Sequence, residues 1–227
     1  MSELGVVVAL PGEAACLPAR KRSSGHFRLT VAGMGAWRAT QAAEGLIAGG
    51  AGALLSWGVV GGLSPALHPG DLVLVDRVMS AESEETCDPA WRDQLAQTFA
   101  RAGVSMVTGQ LWCHPRAVTS VQDKCRLAAS GCLVVDMESA AVARVARAAG
   151  VPFIAIKSVC DPADRAIPDD VAGLLREDGR VRLPAVARAM LRGPVMWRSL
   201  RRMQRDFDAA CAGLRRAGSV LPLSCPA

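Results

Sequence analysis

Residues 133–161 read LVVDMESAAVARVARAAGVPFIAIKSVCD, and the fold follows from how this stretch divides. Leu133 to Val135 form a short apolar run with the character of a buried strand end. The acidic triplet Asp136-Met137-Glu138 follows, at the point where a strand would leave its sheet. Ser139 to Ala149 then carry Ala, Val and Arg with apolar residues at helical spacing. Gly150 ends that helix, Pro152 prevents its continuation, and Phe153 to Val159 read as a second strand closing on Cys160-Asp161. The stretch is therefore one β-α-β unit whose two strands each deliver a carboxylate at the carboxyl end. Open α/β sheets bind their ligands there.

Composition sets the frame. At 227 residues the chain reads as one domain, 1–227, able to bury a core. Hydrophobic residues make up 51% and charged residues 21%, as in a globular fold. No apolar run is long enough to span a bilayer and no signal segment opens the chain, which points to the cytoplasm. The eight Cys are scattered without CxxC pairs, so neither a metal site nor a disulfide framework is expected. The net charge of +5 comes almost wholly from Arg, since Lys21, Lys124 and Lys157 are the only lysines. Aromatics are few, so a nucleic-acid surface with stacking platforms is not expected.

Outward from the central unit, Gly5 to Leu10 form an apolar run typical of a strand covered on both faces, ending at Pro11-Gly12-Glu13. Lys21 to Ser24 read as a polar turn and His26 to Ala32 as the partner strand of a hairpin. Gly33-Met34-Gly35 then feed an Ala-rich helix, a turn able to offer backbone N–H groups to an anion or a polarised water. Arg38 reads as solvated on that helix. Ala53 to Trp57 read as another buried strand, leaving through the glycine-rich loop Gly58-Val59-Val60-Gly61-Gly62. Leu72 to Val78 and Val104 to Leu111 are further strands, with a helix over Ala90 to Ala102 between them. Ser80 to Pro89 read as an acidic connection, a lid or a subunit contact. Helices are expected at Ser120 to Ser130, Asp169 to Arg176 and Pro184 to Leu191. A last helix, 195–217, carries Met196, Leu200, Met203, Phe207, Cys211 and Leu214 on one face and arginines mostly elsewhere. It either packs on the sheet or meets anionic lipid; periodicity does not separate the two.

Val135-Asp136-Met137-Glu138-Ser139-Ala140-Ala141, followed by a strand ending in Cys160-Asp161, resembles the signature of the nucleoside phosphorylase and nucleosidase superfamily. That family includes purine and uridine phosphorylases and methylthioadenosine-type nucleosidases. The resemblance covers nearly the whole chain, is strongest at the glycine loop and the Asp-Met-Glu unit, and is closest to hopanoid-associated phosphorylases. It implies a single-domain three-layer α/β/α sandwich with a central mixed, partly barrel-like sheet. It also implies a homodimer and no cofactor.

The resemblance implies roles for particular residues. Asp161 protonates N7 of the departing purine, and Glu13 holds and activates the attacking water. Glu138 binds the ribose hydroxyls, while Met137 packs on the sugar. Val135, Gly35 and the loop Gly58, Val59, Val60 and Gly61 shape the ribose side. Cys160 replaces the more usual Ser beside Asp161 and is a weaker donor, so the acid's orientation is expected to depend on other groups, with Lys157 the candidate. Trp112, His114 and Val118 are candidates for base contacts, although His114 reads as an ordinary surface histidine. Two departures bear on the nucleophile. Ser56 stands where phosphorylases place an Arg, and Val59 where they place Ser or Thr, which removes two donors for a phosphate dianion.

Three readings follow. In the first, the protein releases adenine from a nucleoside with a bulky apolar 5′ substituent such as adenosylhopane, with the Arg-rich last helix near the inner membrane surface. In the second, it is a methylthioadenosine/S-adenosylhomocysteine-type nucleosidase for soluble thioethers. In the third, it is a nucleoside-binding module without catalysis, against which the three acids argue. Water and phosphate both remain open as the nucleophile.

Overall fold

The computed structural model describes residues 3–22, 25–167 and 194–222. The expected helices at 169–176 and 184–191 lie outside the described residues. The strands are β1 (Glu3–Val8), β2 (Phe27–Val31), β3 (Ala51–Gly62), β4 (Leu72–Met79), β5 (Glu84–Thr86), β6 (Val107–Cys113), β7 (Val134–Asp136) and β8 (Phe153–Asp161). The helices are α1 (Pro11–Ala14), α2 (Ala19–Arg22), α3 (Ala36–Ala48), α4 (Pro89–Arg101), α5 (Val121–Ala128), α6 (Ser139–Ala149) and the long C-terminal α7 (Pro194–Val220).

The sheet is mixed, as expected, and closes on itself. β3 pairs β8, β8 pairs β4, β4 pairs β6, β6 pairs β7, and β7 returns to β3. This five-strand ring is a small barrel. β1 and β2 extend from the first half of β3 as a wing, and β5 is a short antiparallel addition to β4. Helices pack around the sheet: α3 and α6 lie against each other on the β1–β3 side, and α7 packs mainly on β8.

Local sequence explains why these elements stand where they do. α4 starts at Pro89, whose missing N–H costs nothing at a first helical position, and the Asp88 side chain accepts from the Trp91 amide at 2.8 Å. Trp91, Leu95 and Phe99 recur at helical spacing and are buried. Each such burial contributes about 1.5–3 kcal/mol. α6 spans the expected residues and ends on Gly150, whose φ of 67° only glycine adopts without cost.

Several expectations need correction. β1 and β2 are not a hairpin: they pair in parallel, with α1 and α2 crossing between them. The Lys21 side chain is buried, not solvated in a turn, and donates to the Gly218, Ser219 and Leu221 carbonyls at the end of α7. The stretch Gly58 to Gly62 is not a loop but the second half of β3. The connection after β4 contains β5, and Glu85 within it is buried against Arg147 at 3.1 Å. The central unit is not part of an open parallel sheet either. β8 runs parallel to β3, whereas β7 runs antiparallel to it, so the two strands oppose each other. Their carboxyl ends meet all the same, because Val135 and Asp161 both pair with Gly61 from its two sides.

α7 divides along its length. Cys211, Leu214 and Ala217 are core, which bears out packing on the sheet for its second half. Its first half keeps Trp197, Arg198, Arg201, Arg202 and Arg205 exposed, with the Arg201 guanidinium 5.7 Å from the centre of the Trp197 ring.

Candidate active site

The site begins with a vacancy in strand pairing. On one edge of β3, β1 pairs as far as Ser56 and β7 starts only at Gly61. Neither strand meets the intervening residues, and the Val59 amide on that edge would lack a partner. Glu13 fills the gap. Its Oε1 accepts from Val59 N at 2.8 Å, and its Oε2 accepts from the amides of Ala9 and Leu10, each at 2.8 Å. Glu13 thus both caps α1 and is presented at the end of β1. The Trp57 indole supports it from below by donating to the Glu13 carbonyl at 3.3 Å. Burial pushes the Glu13 carboxyl up, against the pull of those three amides and the Lys157 charge.

Glu138 is held in a matching way. Its Oε1 accepts from the Gly35 amide at 2.6 Å, and its Oε2 from Met137 N at 3.2 Å. The anion awaited at the Gly33–Gly35 turn is therefore the chain's own carboxylate. Gly35 has a φ of 98°, which a side chain would strain. Burial, followed by the Asp136 charge, pushes Glu138 up to about 7.

Asp161 reaches the same place through a bulge. The register of β8 on β3 steps from Val60↔Val159 to Gly61↔Asp161, so Cys160 is the extra residue. Bulges re-aim side chains, and this one brings Cys160 and Asp161 together to the site. Burial pushes the Asp161 carboxyl up, opposed chiefly by Lys124, whose Nζ lies 2.6 Å from Oδ2. Burial likewise pushes the Cys160 thiol up, so it is not a thiolate.

A cavity of about 180 Å³ joins these groups. Glu13, Glu138 and Asp161 all line it, as do Val135, Met137 and Cys160. From β3, Val59, Val60 and Gly61 form its floor. A Cβ on Gly61 would stand 3.1 Å from the Val135 side chain, so glycine keeps the cavity open there. Gly35 and Gly58 act one layer back, the first through its amide and the second by leaving room for the Glu13 carboxylate. Val118 lines the cavity, but Trp112 packs instead in a small apolar cluster with Leu63 and Cys132, and His114 folds onto the Arg116 backbone. Arg38 is half-buried on α3 and does not line the cavity.

Lys157 is the main correction. It does not orient Asp161: its Nζ donates to Asp136 Oδ2 at 2.9 Å and to Ser56 Oγ at 2.8 Å, and Ser56 in turn meets Ser139 Oγ at 3.0 Å. Asp136 and Lys157 are both buried, so each charge requires the other. Burial pulls the Lys157 ammonium down, but the charge and hydrogen bond of Asp136, together with the charges of Glu138 and Glu13, outweigh it and hold the group above its ordinary value. The residue that does hold Asp161, Lys124, has no motif to betray it. The one sequence signal is that a chain this rich in Arg keeps so few lysines. Met34, Arg116, Ala117 and Ile167 also line the cavity and carry no motif.

A larger hollow, about 400 Å³, lies beside α4 among Phe99, Val104 and Met106. It contains no ionisable side chain, so size alone does not mark the site.

A family model described as the phosphorylase superfamily matches residues 21–191. The chain belongs to the phosphorylase superfamily. The membership agrees with the resemblance carried by the Asp-Met-Glu unit. No curated protein matches the chain. Among solved structures, the 5′-methylthioadenosine/S-adenosylhomocysteine nucleosidase of Neisseria meningitidis, in complex with methylthio-immucillin-A, superposes with a TM-score of 0.72 at 16% identity, covering 96% of each chain. The corresponding Helicobacter pylori nucleosidase, with butyl-thio-DADMe-Immucillin-A, gives 0.71 at 17% identity, over 97% of this chain and 99% of that one. Native futalosine hydrolase of Helicobacter pylori gives 0.69 at 16% identity, over 97% and 98%. This superfamily member thus shares the whole fold of those hydrolases, mixed barrel included.

Proposed function

We propose that the protein cleaves the N-glycosidic bond of an adenosine-type nucleoside and releases adenine, with water as the nucleophile. One observation carries the reading: the buried or half-buried carboxyls of Glu13, Glu138 and Asp161, from separate parts of the chain, line one small cavity, and the fourth acid there, Asp136, is taken up by Lys157. Asp161 protonates N7, so the purine leaves neutral rather than as a poor anion. Glu138 accepts from the ribose hydroxyls and holds negative charge near the oxocarbenium-like sugar. Glu13 orients water against the anomeric carbon, and Met137 packs on the sugar. The sequence leaves water and phosphate open, and hydrogen-bond accounting favours water. The amides of Ala9, Leu10 and Val59 already serve Glu13, and that of Gly35 serves Glu138. A phosphate dianion would need such donors and would meet two carboxylates instead. Among the described residues, Arg116 is the sole cation lining the cavity.

The 5′ substituent is proposed to be bulky and apolar, as in adenosylhopane, with Met34, Val118 and Ile167 offering apolar lining. The exposed Trp197 and arginines of α7 suit a peripheral contact with anionic lipid. A soluble thioether is the second reading, favoured by the likeness to the methylthioadenosine nucleosidases. A homodimer is proposed from the family resemblance, to be checked by light scattering.

Adenine release from 5′-methylthioadenosine and from adenosylhopane, each with and without phosphate, tests the proposal. Free ribosyl product and a rate indifferent to phosphate are expected, with the hopanoid preferred. Ribosyl 1-phosphate as product would overturn the assignment of water, and no release from either nucleoside would overturn the activity. Co-sedimentation with vesicles containing an anionic lipid tests the membrane contact.

A further inference from the structure

The three lysines of the chain are all buried. Lys21 serves carbonyls at the end of α7, and Lys157 neutralises Asp136. Lys124, on α5, has no exposed surface at all and is paired with an acid that lines the cavity. Its Nζ lies 2.6 Å from Asp161 Oδ2 and donates to the Pro162 and Arg165 carbonyls, each at 2.8 Å. An ammonium has three N–H groups, and here three oxygens receive them.

We propose that Lys124 is the positioning residue of the general acid: it fixes Asp161 through Oδ2, leaves Oδ1 for the departing base, and sets the proton affinity of that carboxyl. The assignment rests on the reading of Asp161 as the acid. The other charged or titratable groups near it are Arg165 in the following loop, Asp206 on α7, Cys160 beside it, and Arg116, Glu13, Asp136 and Glu138 on the cavity wall. Asp206 holds Arg165 at 2.5 Å and so offsets part of its charge, which leaves Lys124 as the dominant cation. Burial pushes the Asp161 carboxyl up, and the close ammonium opposes that. The same ammonium ties down the segment after β8. That segment carries Ile167 to the cavity, and the Ile167 amide donates to Thr119 O at 2.8 Å just before α5. One side chain therefore holds both the acid and part of the cavity wall.

The test uses the full chain and follows adenine release from 5′-methylthioadenosine and adenosylhopane against pH in K124M, K124Q, K124R and D161N. Activity that needs protonated Asp161 falls as pH rises through its pKa. Removing the ammonium moves that fall to higher pH by about 1–3 pH units in K124M and K124Q, while K124R returns it toward the native position. A Lys124 with only a structural role would lower the rate alike at every pH; an unmoved profile beside an inactive D161N overturns the proposal and leaves the function standing. A fully active D161N would overturn the function itself. Should neither neutral variant fold, the ¹⁵Nζ resonance of Lys124 in the native protein decides. It must respond to the titration of Asp161, and a flat response sinks the assignment.

Discussion

The backbone amide of Val59 donates to Glu13 Oε1 at 2.8 Å across a separation of 46 residues. That bond exists because β1 and β7 share one edge of β3 and leave a gap between them. The adjacent Gly58 makes room for it: a Cβ there would stand 2.5 Å from Oε1 and 2.7 Å from the carboxyl carbon. Gly58→Ala must displace Glu13, with an expected cost of about 1–3 kcal/mol in denaturant unfolding. Misplacing a catalytic group by about 1 Å lowers rates roughly 100-fold, and adenine release should fall by that order. Native rates in the folded variant would detach Glu13 from the chemistry.

Glu13→Gln separates charge from shape. The carboxylate receives three amides, whereas an amide side chain turns one N–H₂ toward backbone N–H groups. The expected loss is about 1–3 kcal/mol of stability for the donors left unsatisfied. Loss of the base should lower adenine release by about 10²–10⁴-fold. Unfolding curves and initial rates on one preparation distinguish the two effects.

Glu138 links stability to pH. Its folded pKa is raised from an ordinary 4.5 to about 7, so the folded state holds the proton more tightly than the unfolded chain. The resulting stability is fully present below about pH 4.5 and is lost as pH rises through about 7. Glu138→Gln removes this dependence, and its unfolding midpoint should decline less than that of the native protein between those pH values. Parallel curves for the two proteins would contradict the shift.

The Asp136–Lys157 pair is structural. Lys157→Met leaves a buried carboxylate without its cation, and breaking such a pair costs about 3–5 kcal/mol. Adding Asp136→Asn should restore a large part of it, because the uncompensated charge is gone. Thermal melting of the single and double variants checks this; a double variant no more stable than Lys157→Met would refute the account.

The element boundaries of the central unit were legible because their signals are local. Apolar runs, the Ala-rich periodicity of α6, Gly150 and Pro152 act within a few residues of where they stand. The acids that line the cavity were legible for a related reason: each sits at a strand end or helix start, where chain direction presents a side chain. The structure departs from the local signals wherever a distant partner decides. Nothing local states whether β1 and β2 pair parallel or antiparallel, or whether a glycine run is a loop or the second half of a strand. The same holds for the partners of Lys124 and Lys157.

By itself, then, the order of residues determined the helices and most of the strands of the central unit and which acids stand at their ends, since those choices are made by neighbours in the chain. Closure of the ring was decided only in three dimensions. With it came the opposed senses of β7 and β8, the bulge that turns Asp161 to the cavity, and the assignment of Lys124 to Asp161 and Lys157 to Asp136. Buried charges must find partners at ion-pair distance, and which partner lies there is a property of packing that sequence separation does not encode.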